Sequence, residues 1–193
     1  YLALPEKTAG TITTWSEPLN TITVEKLDFT YAKQPTPSLT DISLQLTKGS
    51  FTAFVGKSGS GKSTLAQLLL NQLDDYQGII QWNNTDLKNL SNTVLFQKGR
   101  LVNTKDFLYA ASLRENLLLA NPQLTDRELW ELLEQVKLAA FVRQLPQQLD
   151  TLLEENGQNL SGGQRQRLIL ARALATSAEF YIFDEITSGV DIE

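Results

Sequence analysis

Runs with two-residue alternation and runs with helical spacing follow one another along this chain, and together they predict an α/β fold. Three stretches carry the prediction. Residues 21–31 (TITVEKLDFTY) and 38–46 (SLTDISLQL) alternate and are rich in β-branched side chains, the pattern of half-buried strands. Residues 50–55 (SFTAFV) form a short apolar run that suits a buried strand, and the glycine-rich GKSGSGKST (56–64) leads from it into a helical pattern, STLAQLLLNQL (63–73). Residues 161–175 (SGGQRQRLILARALA) read as a helix, and the apolar EFYIFDE (179–185) behind it reads as a strand that ends on two carboxylates.

The rest is more modest. GIIQW (78–82) suits another strand, and TDRELWELLEQVKL (125–138) is an amphipathic helix that Thr125 and Glu128 open as a capping box. Residues 84–111 carry no clear period, and residues 1–20 mix Pro, Thr, Gly and charge as a linker does. No internal repeat or low-complexity tract interrupts the chain.

Composition narrows the chemistry. The 193 residues are 41% hydrophobic and 20% charged, the balance of a globular domain with a core of ordinary size. A net charge of −5 argues against non-specific nucleic-acid binding. The absence of cysteine removes disulfides and thiolate metal sites, and the absence of histidine removes imidazole bases and ligands from this sequence. No apolar stretch reaches the roughly 18–20 residues of a membrane helix, and no secretory signal is visible. Because the first residue is Tyr1, the sequence is expected to be a piece of a longer protein.

The most informative segment is Gly56-x4-Gly61-Lys62-Ser63 between strand and helix, the GxxxxGK[ST] pattern in its required context. Glycines at 56, 59 and 61 let the backbone turn and approach an anion. The N–H groups from Lys57, Ser58 and Ser60 to Thr64 can then point inward at a helix start whose dipole favours negative charge. Lys62 would reach the β- and γ-phosphates of a nucleoside polyphosphate, and the Ser63 hydroxyl would sit on Mg²⁺. At the end of 180–185, Asp184 could join the Mg²⁺ shell and Glu185 could orient or deprotonate the attacking water. LSGGQRQR (160–167) is a second helix start with an anion-binding character. Ser161 serves as N-cap, but that does not account for Gly162 and Gly163, which each cost a helix about 1 kcal/mol relative to alanine.

GKSGSGKST, LSGGQRQR, and FYIFDE followed by TSGVD resemble, in this order, the ATP-binding domain of ABC transporters, over nearly everything from residue 21 onward. The resemblance implies an ABC ATPase head: a P-loop NTPase core with a mixed sheet and an antiparallel β edge from residues 21–55 and 78–96. A helical subdomain over about 104–172 would present LSGGQ. It implies two such domains paired head to tail around two ATP molecules, with Ser161 and Gly163 on the γ-phosphate in trans and Gly162 and Gln164 beside them. Tyr31 would stack on adenine, and Asp191 would touch the opposite subunit. Segments 112–122 and 145–164 resemble the exporter type, in which Thr151 to Glu155 meet the coupling helices of a membrane domain. Residues 1–20 would then follow that membrane domain in one chain, at the cytoplasmic face of a membrane.

Two departures matter. The family's Q-loop glutamine, which contacts Mg²⁺, matches Gln97 in VLFQKG, yet ungapped counting back from FLYAASLREN puts Thr104 at that place. The family's switch histidine has no counterpart here, so the domain is expected to be incomplete after the acid at Asp191, and ATP binding is expected to outlast hydrolysis. The alternatives to an exporter motor are an importer-type ATPase subunit and a degenerate nucleotide-binding regulatory module. A DNA-repair type of ATPase would need long coiled coils, and residues 64–160 have no sustained heptads.

Overall fold

The computed structural model of the protein describes residues 10–103 and 106–184, and the chain divides into two compact units after Leu101.

The first unit is built on an antiparallel sheet of β1 (Thr21–Phe29), β2 (Leu39–Thr47), β3 (Gln77–Trp82) and β4 (Thr85–Asp86), in the order β2-β1-β3-β4. This is the expected antiparallel edge. Along β1, Ile22 and Val24 face the core, and strict alternation would put Lys26 there next. A bulge prevents it. The register shifts between Val24 and Leu27 against β2, and between Glu25 and Asp28 against β3. Lys26 adopts φ 47°. The extra residue resets the phase, so that Leu27 and Phe29 return inward. Opposite the bulge lies Gly78, at φ 93°, where a Cβ would stand 2.3 Å from the Lys26 carbonyl oxygen. Only glycine fits that crossing.

Two helices complete this unit, α1 (Lys62–Leu69) and α2 (Asn92–Lys98). Trp82 is fully buried and its indole N–H donates to the Leu69 carbonyl at 3.3 Å, which ties β3 to the end of α1. Residues 84–103, opaque in the sequence, resolve into β4, a 3₁₀ turn at Leu87–Asn89, α2 and β5 (Gly99–Asn103). Residues 10–20 are docked rather than loose. Ile12 bridges to Leu90, and the Asn83 amide side chain donates to the Pro18 carbonyl and accepts from the N–H groups of Asn20 and Thr21.

One expected strand is missing. Residues 51–57 form neither strand nor helix, and Phe51 and Val55 are 90% and 94% exposed. An apolar run becomes a buried strand only when neighbouring strands take up its N–H and C=O groups. No described segment pairs with this one, so its composition alone does not make it a strand.

The second unit is largely helical: α3 (Leu113–Leu118), α4 (Asp126–Gln135), α5 (Ala139–Gln144) and α6 (Gly162–Leu174), then β6 (Phe180–Asp184). Leu108, Leu113, Leu117, Leu129, Leu133, Val142 and Leu168 form a core with no exposed surface. Asn116 is equally buried but satisfied. Its Oδ1 accepts from the Tyr109 N–H, and its Nδ2 donates to the carbonyls of Tyr109 and Ser112. Full capping boxes open α3 (Ser112 with Glu115) and α4 (Thr125 with Glu128).

These boxes and the Arg114–Asp126 pair should make the unit acid-sensitive. Hydrogen bonds from the backbone and hydroxyl of Ser112 hold the Glu115 carboxyl below its ordinary range, the Arg114 guanidinium does so for Asp126, and Thr125 does so for Glu128. A carboxylate whose pKa is depressed on folding contributes stability that is present above its unfolded pKa and lost as pH falls through the folded one. The thermal midpoint is expected to drop as pH falls below about 5. Glu128→Gln should make that drop shallower, as read by circular dichroism melts across the pH series.

Candidate functional site: two helix starts that offer backbone donors

The start of α1 is left open. Its N-cap is Gly61, left-handed at φ 88° and ψ 6°, and no side chain caps it. The first N–H groups of an α-helix have no intrahelical acceptor, so here they are offered outward. Glycine is compulsory at 61, since a Cβ would lie 2.6 Å from Leu39 Cδ2 and 2.7 Å from the Ser38 carbonyl oxygen. Close packing of the loop against the start of β2 therefore fixes where the donors point. Gly59 takes φ 79°, and a Cβ on Gly56 would meet Ser60 Oγ at 2.8 Å. Lys57 and Ser60 close a turn through Ser60 N–H to the Lys57 carbonyl at 3.2 Å, with Ser58 inside it.

Lys62 curls over this loop. Its ammonium donates to the carbonyls of Gly56 and Lys57 at 3.0 and 2.9 Å and to Ser60 Oγ at 3.4 Å. The charge is thereby held above the same backbone that presents the N–H groups. Ser63, next along, is exposed, whereas Thr64 is buried. The Thr64 hydroxyl shares a hydrogen bond of 3.1 Å with the hydroxyl of Tyr31. Tyr31 is also packed edge-to-face on Phe29 at 4.9 Å. An aromatic 33 residues upstream thus stands at the first turn of α1. The spacing FxY does not reveal that tie; only the path of the chain after β1 does.

The start of α6 solves the same problem differently. Ser161 Oγ accepts from the Gln164 N–H at 3.2 Å, and Gln164 Oε1 accepts from the Ser161 N–H at 2.9 Å, a reciprocal box. The box leaves the N–H groups of Gly162 and Gly163 without a side-chain cap. It also commits a lone pair of Ser161 Oγ, so the hydroxyl proton is available to an acceptor. Neither glycine is required by the fold. A Cβ on Gly162 would meet nothing within 4 Å, and one on Gly163 only Arg167 Nη2 at 3.7 Å. Their backbone is not left-handed either. Backbone geometry therefore does not account for glycine at either position. Sequence reasoning gives Ser161 the cap but misses the part played by the Gln164 side chain, which the S-x-x-Q spacing could have signalled.

The other sequence candidates fall as follows. Asp184 is the last residue of β6 and partly buried. Gln97 sits exposed in the last turn of α2. Thr104, Glu185 and Asp191 lie outside the described residues. Among the described residues no cluster of three or more acidic side chains could hold a metal alone.

A glycine-capped helix start with a lysine over it, in an α/β chain, defines the phosphate-loop class of domain. Comparison with known proteins narrows it. The ABC transporter family profile matches residues 39–188, and the chain belongs to that family. It is 44% identical over 172 residues to an uncharacterized ABC transporter ATP-binding protein of Haemophilus influenzae. It is 37% identical over 172 residues to a putative multidrug export ATP-binding/permease protein of Staphylococcus aureus. Each match covers 89% of this chain and 30% of the relative, so the chain spans under a third of their length. A bacterial Atm1-family ABC exporter solved with ATP bound superposes with a TM-score of 0.84 at 29% identity, over 97% of this chain and 32% of that one. Among the described residues no helix is long and apolar enough to cross a membrane.

The two helix starts predict opposite responses to one extra methyl group. Gly61→Ala should destabilise the chain by about 1–2 kcal/mol or more, from strain and the clash with Leu39. Gly162→Ala should be neutral or stabilising by up to about 1 kcal/mol. Urea unfolding of both variants beside the parent checks this.

Proposed function

We propose that this domain binds and hydrolyses ATP as the motor of an ABC exporter. The observation that carries the reading is the pair of helix starts where glycine leaves N–H donors uncapped, at Gly61 and at Gly162–Gly163. One nucleotide in one subunit needs the first. A second anion site of the same kind suits a head-to-tail pair, in which α6 of one copy closes on the phosphates held by α1 of the other. Relatives named as ATP-binding/permease export proteins, and the likeness to an ABC exporter, support a membrane domain as the further partner and favour export over import.

In that reading the N–H groups of Gly59 to Thr64 cradle the β-phosphate, and the Lys62 ammonium moves from its loop carbonyls to the β- and γ-phosphates. Its three donors and full charge make that exchange favourable against polyphosphate. Tyr31 offers its ring to the adenine. Ser161 Oγ–H and the Gly163 N–H of the second copy meet the γ-phosphate. Ser63 and Asp184, with Gln97 or Thr104 in the Q-loop role, would hold Mg²⁺, which would supply charge neutralisation on the phosphate oxygens. Glu185 accepts a proton from water as the water oxygen bonds to the γ-phosphorus and the bond to the β–γ bridging oxygen breaks. Thr151 to Glu155 face the coupling helices of the membrane domain and transmit the closure.

Nucleotide binding is tested by melting the chain with and without Mg-ATP, beside Lys62→Ala. At 100 times Kd the ligand should add about 2.7 kcal/mol, a shift of a few degrees. The shift should vanish in Lys62→Ala; an equal shift in both would overturn the phosphate-loop assignment. In the full-length chain, Glu185→Gln should lower steady-state hydrolysis by about two orders of magnitude or more while ATP still binds.

A further inference from the structure

Arg114 stands where a cation is least expected. It is the second residue of α3, at a helix start whose dipole disfavours positive charge, and the phosphate chemistry does not use it. Its guanidinium forks onto both oxygens of Asp126, the first residue of α4, with Nη2 to Oδ2 at 3.1 Å. Its Nε donates to Asp150 at 2.7 Å. One side chain thus joins α3, α4 and the 3₁₀ turn Gln148–Asp150. Lysine could not make this pattern, because it lacks the planar fork.

The segment after Asp150 gives the arrangement its point. Residues 151–153 lie antiparallel to 111–113 around one bridge, and Asn156, in the 3₁₀ turn that follows, adds a further tie to Leu108. The N–H of Leu113 donates to the Thr151 carbonyl at 3.0 Å, that of Leu153 to Ala111 at 2.9 Å, and that of Asn156 to Leu108 at 2.9 Å. Ser112 and Leu152 form the bridge between them. On the other side, Asn159 Nδ2 donates to the Leu152 carbonyl and Asn159 Oδ1 accepts from the Glu154 N–H, both at 3.1 Å. Leu153 turns into the core at 5% exposure, and Leu152 turns out at 66%. A leucine displayed on backbone fastened from both sides, with exposed Glu154 and Glu155 after it, is held outward rather than left there by slack.

We propose that Arg114 is a positioning residue for the contact with the membrane domain: through Asp150 it fixes the Thr151–Glu155 segment so that Leu152 meets its partner. The inference rests on the proposed docking of that segment against the coupling helices. The Asp126 arm of the fork anchors Arg114 to α4, and the Asp150 arm transmits the constraint, so the two carboxylates have separable roles.

The test uses the full-length chain in lipid nanodiscs, with cysteines elsewhere replaced, and a maleimide as the probe. Leu152→Cys should react about tenfold more slowly than Gln123→Cys, which lies on an exposed turn of the same unit. Adding Arg114→Ala or Asp150→Asn should abolish most of that protection. Arg114→Lys should restore part of it. Asp126→Asn should lower the thermal midpoint as Asp150→Asn does, yet leave the thiol of Leu152→Cys protected. Loss of protection in Asp126→Asn equal to that in Asp150→Asn would reduce Arg114 to a general stabiliser and overturn the proposal. Protection unchanged in every variant would overturn it while leaving the docking reading intact. If Leu152→Cys reacts as fast as Gln123→Cys with Arg114 in place, the docking reading itself fails.

Discussion

A helix begins with N–H groups that nothing inside it can satisfy, and how this chain disposes of them decides its chemistry. α3 and α4 close theirs with reciprocal boxes, Ser112 with Glu115 and Thr125 with Glu128. α2 uses the Ser91 hydroxyl. α1 has only Gly61, whose left-handed backbone aims the donors outward and whose missing Cβ lets the loop pack on Leu39. α6 is intermediate: its box is complete, but two glycines that the fold does not need follow Ser161. Stability favours the first solution. α5 also opens without a side-chain cap, at Leu138, but has no glycine there. The glycines at the starts of α1 and α6 coincide with the motifs that mark the family.

Packing supports these starts from behind. The β1 bulge at Lys26, matched by Gly78, keeps Leu27 and Phe29 on the inner face. Phe29 in turn supports Tyr31 edge-on, and Tyr31 reaches Thr64 on α1. A one-residue change of phase in β1 would turn this aromatic chain away from the first turn of α1. In the second unit a core of leucines on α3, α4 and α6 fixes the helix that carries Ser161. Satisfied groups such as Asn116 hold the loop before α3 in one shape.

Much of this is legible in the sequence, for identifiable reasons. The strands of the antiparallel edge, α4 and α6 have strong periods and recognisable caps, and the structure agrees within a few residues. The phosphate loop and LSGGQ are legible because glycine is costly where it is not needed. The run 50–55 misleads because apolar content signals burial but not pairing: a strand needs a partner, and pairing is a property of distant segments. Residues 84–103 are opaque because their elements are short, and a 3₁₀ turn, a seven-residue helix and a five-residue strand each hold about one period or two of any pattern. The Arg114 fork is invisible for the same reason that makes it informative: it joins residues 12 and 36 positions apart.

In the proposed head-to-tail pair, the two glycine-marked helix starts serve one phosphate group from two copies of the chain. The most direct measurement is a disulfide cross-link between Ser58→Cys and Gly162→Cys, placed on separately tagged copies of the full-length chain carrying Glu185→Gln. A cross-link between the two tags should form with Mg-ATP, fade with ADP, and be lost with Lys62→Ala. Cross-linking independent of nucleotide, or none with Mg-ATP bound, would contradict it.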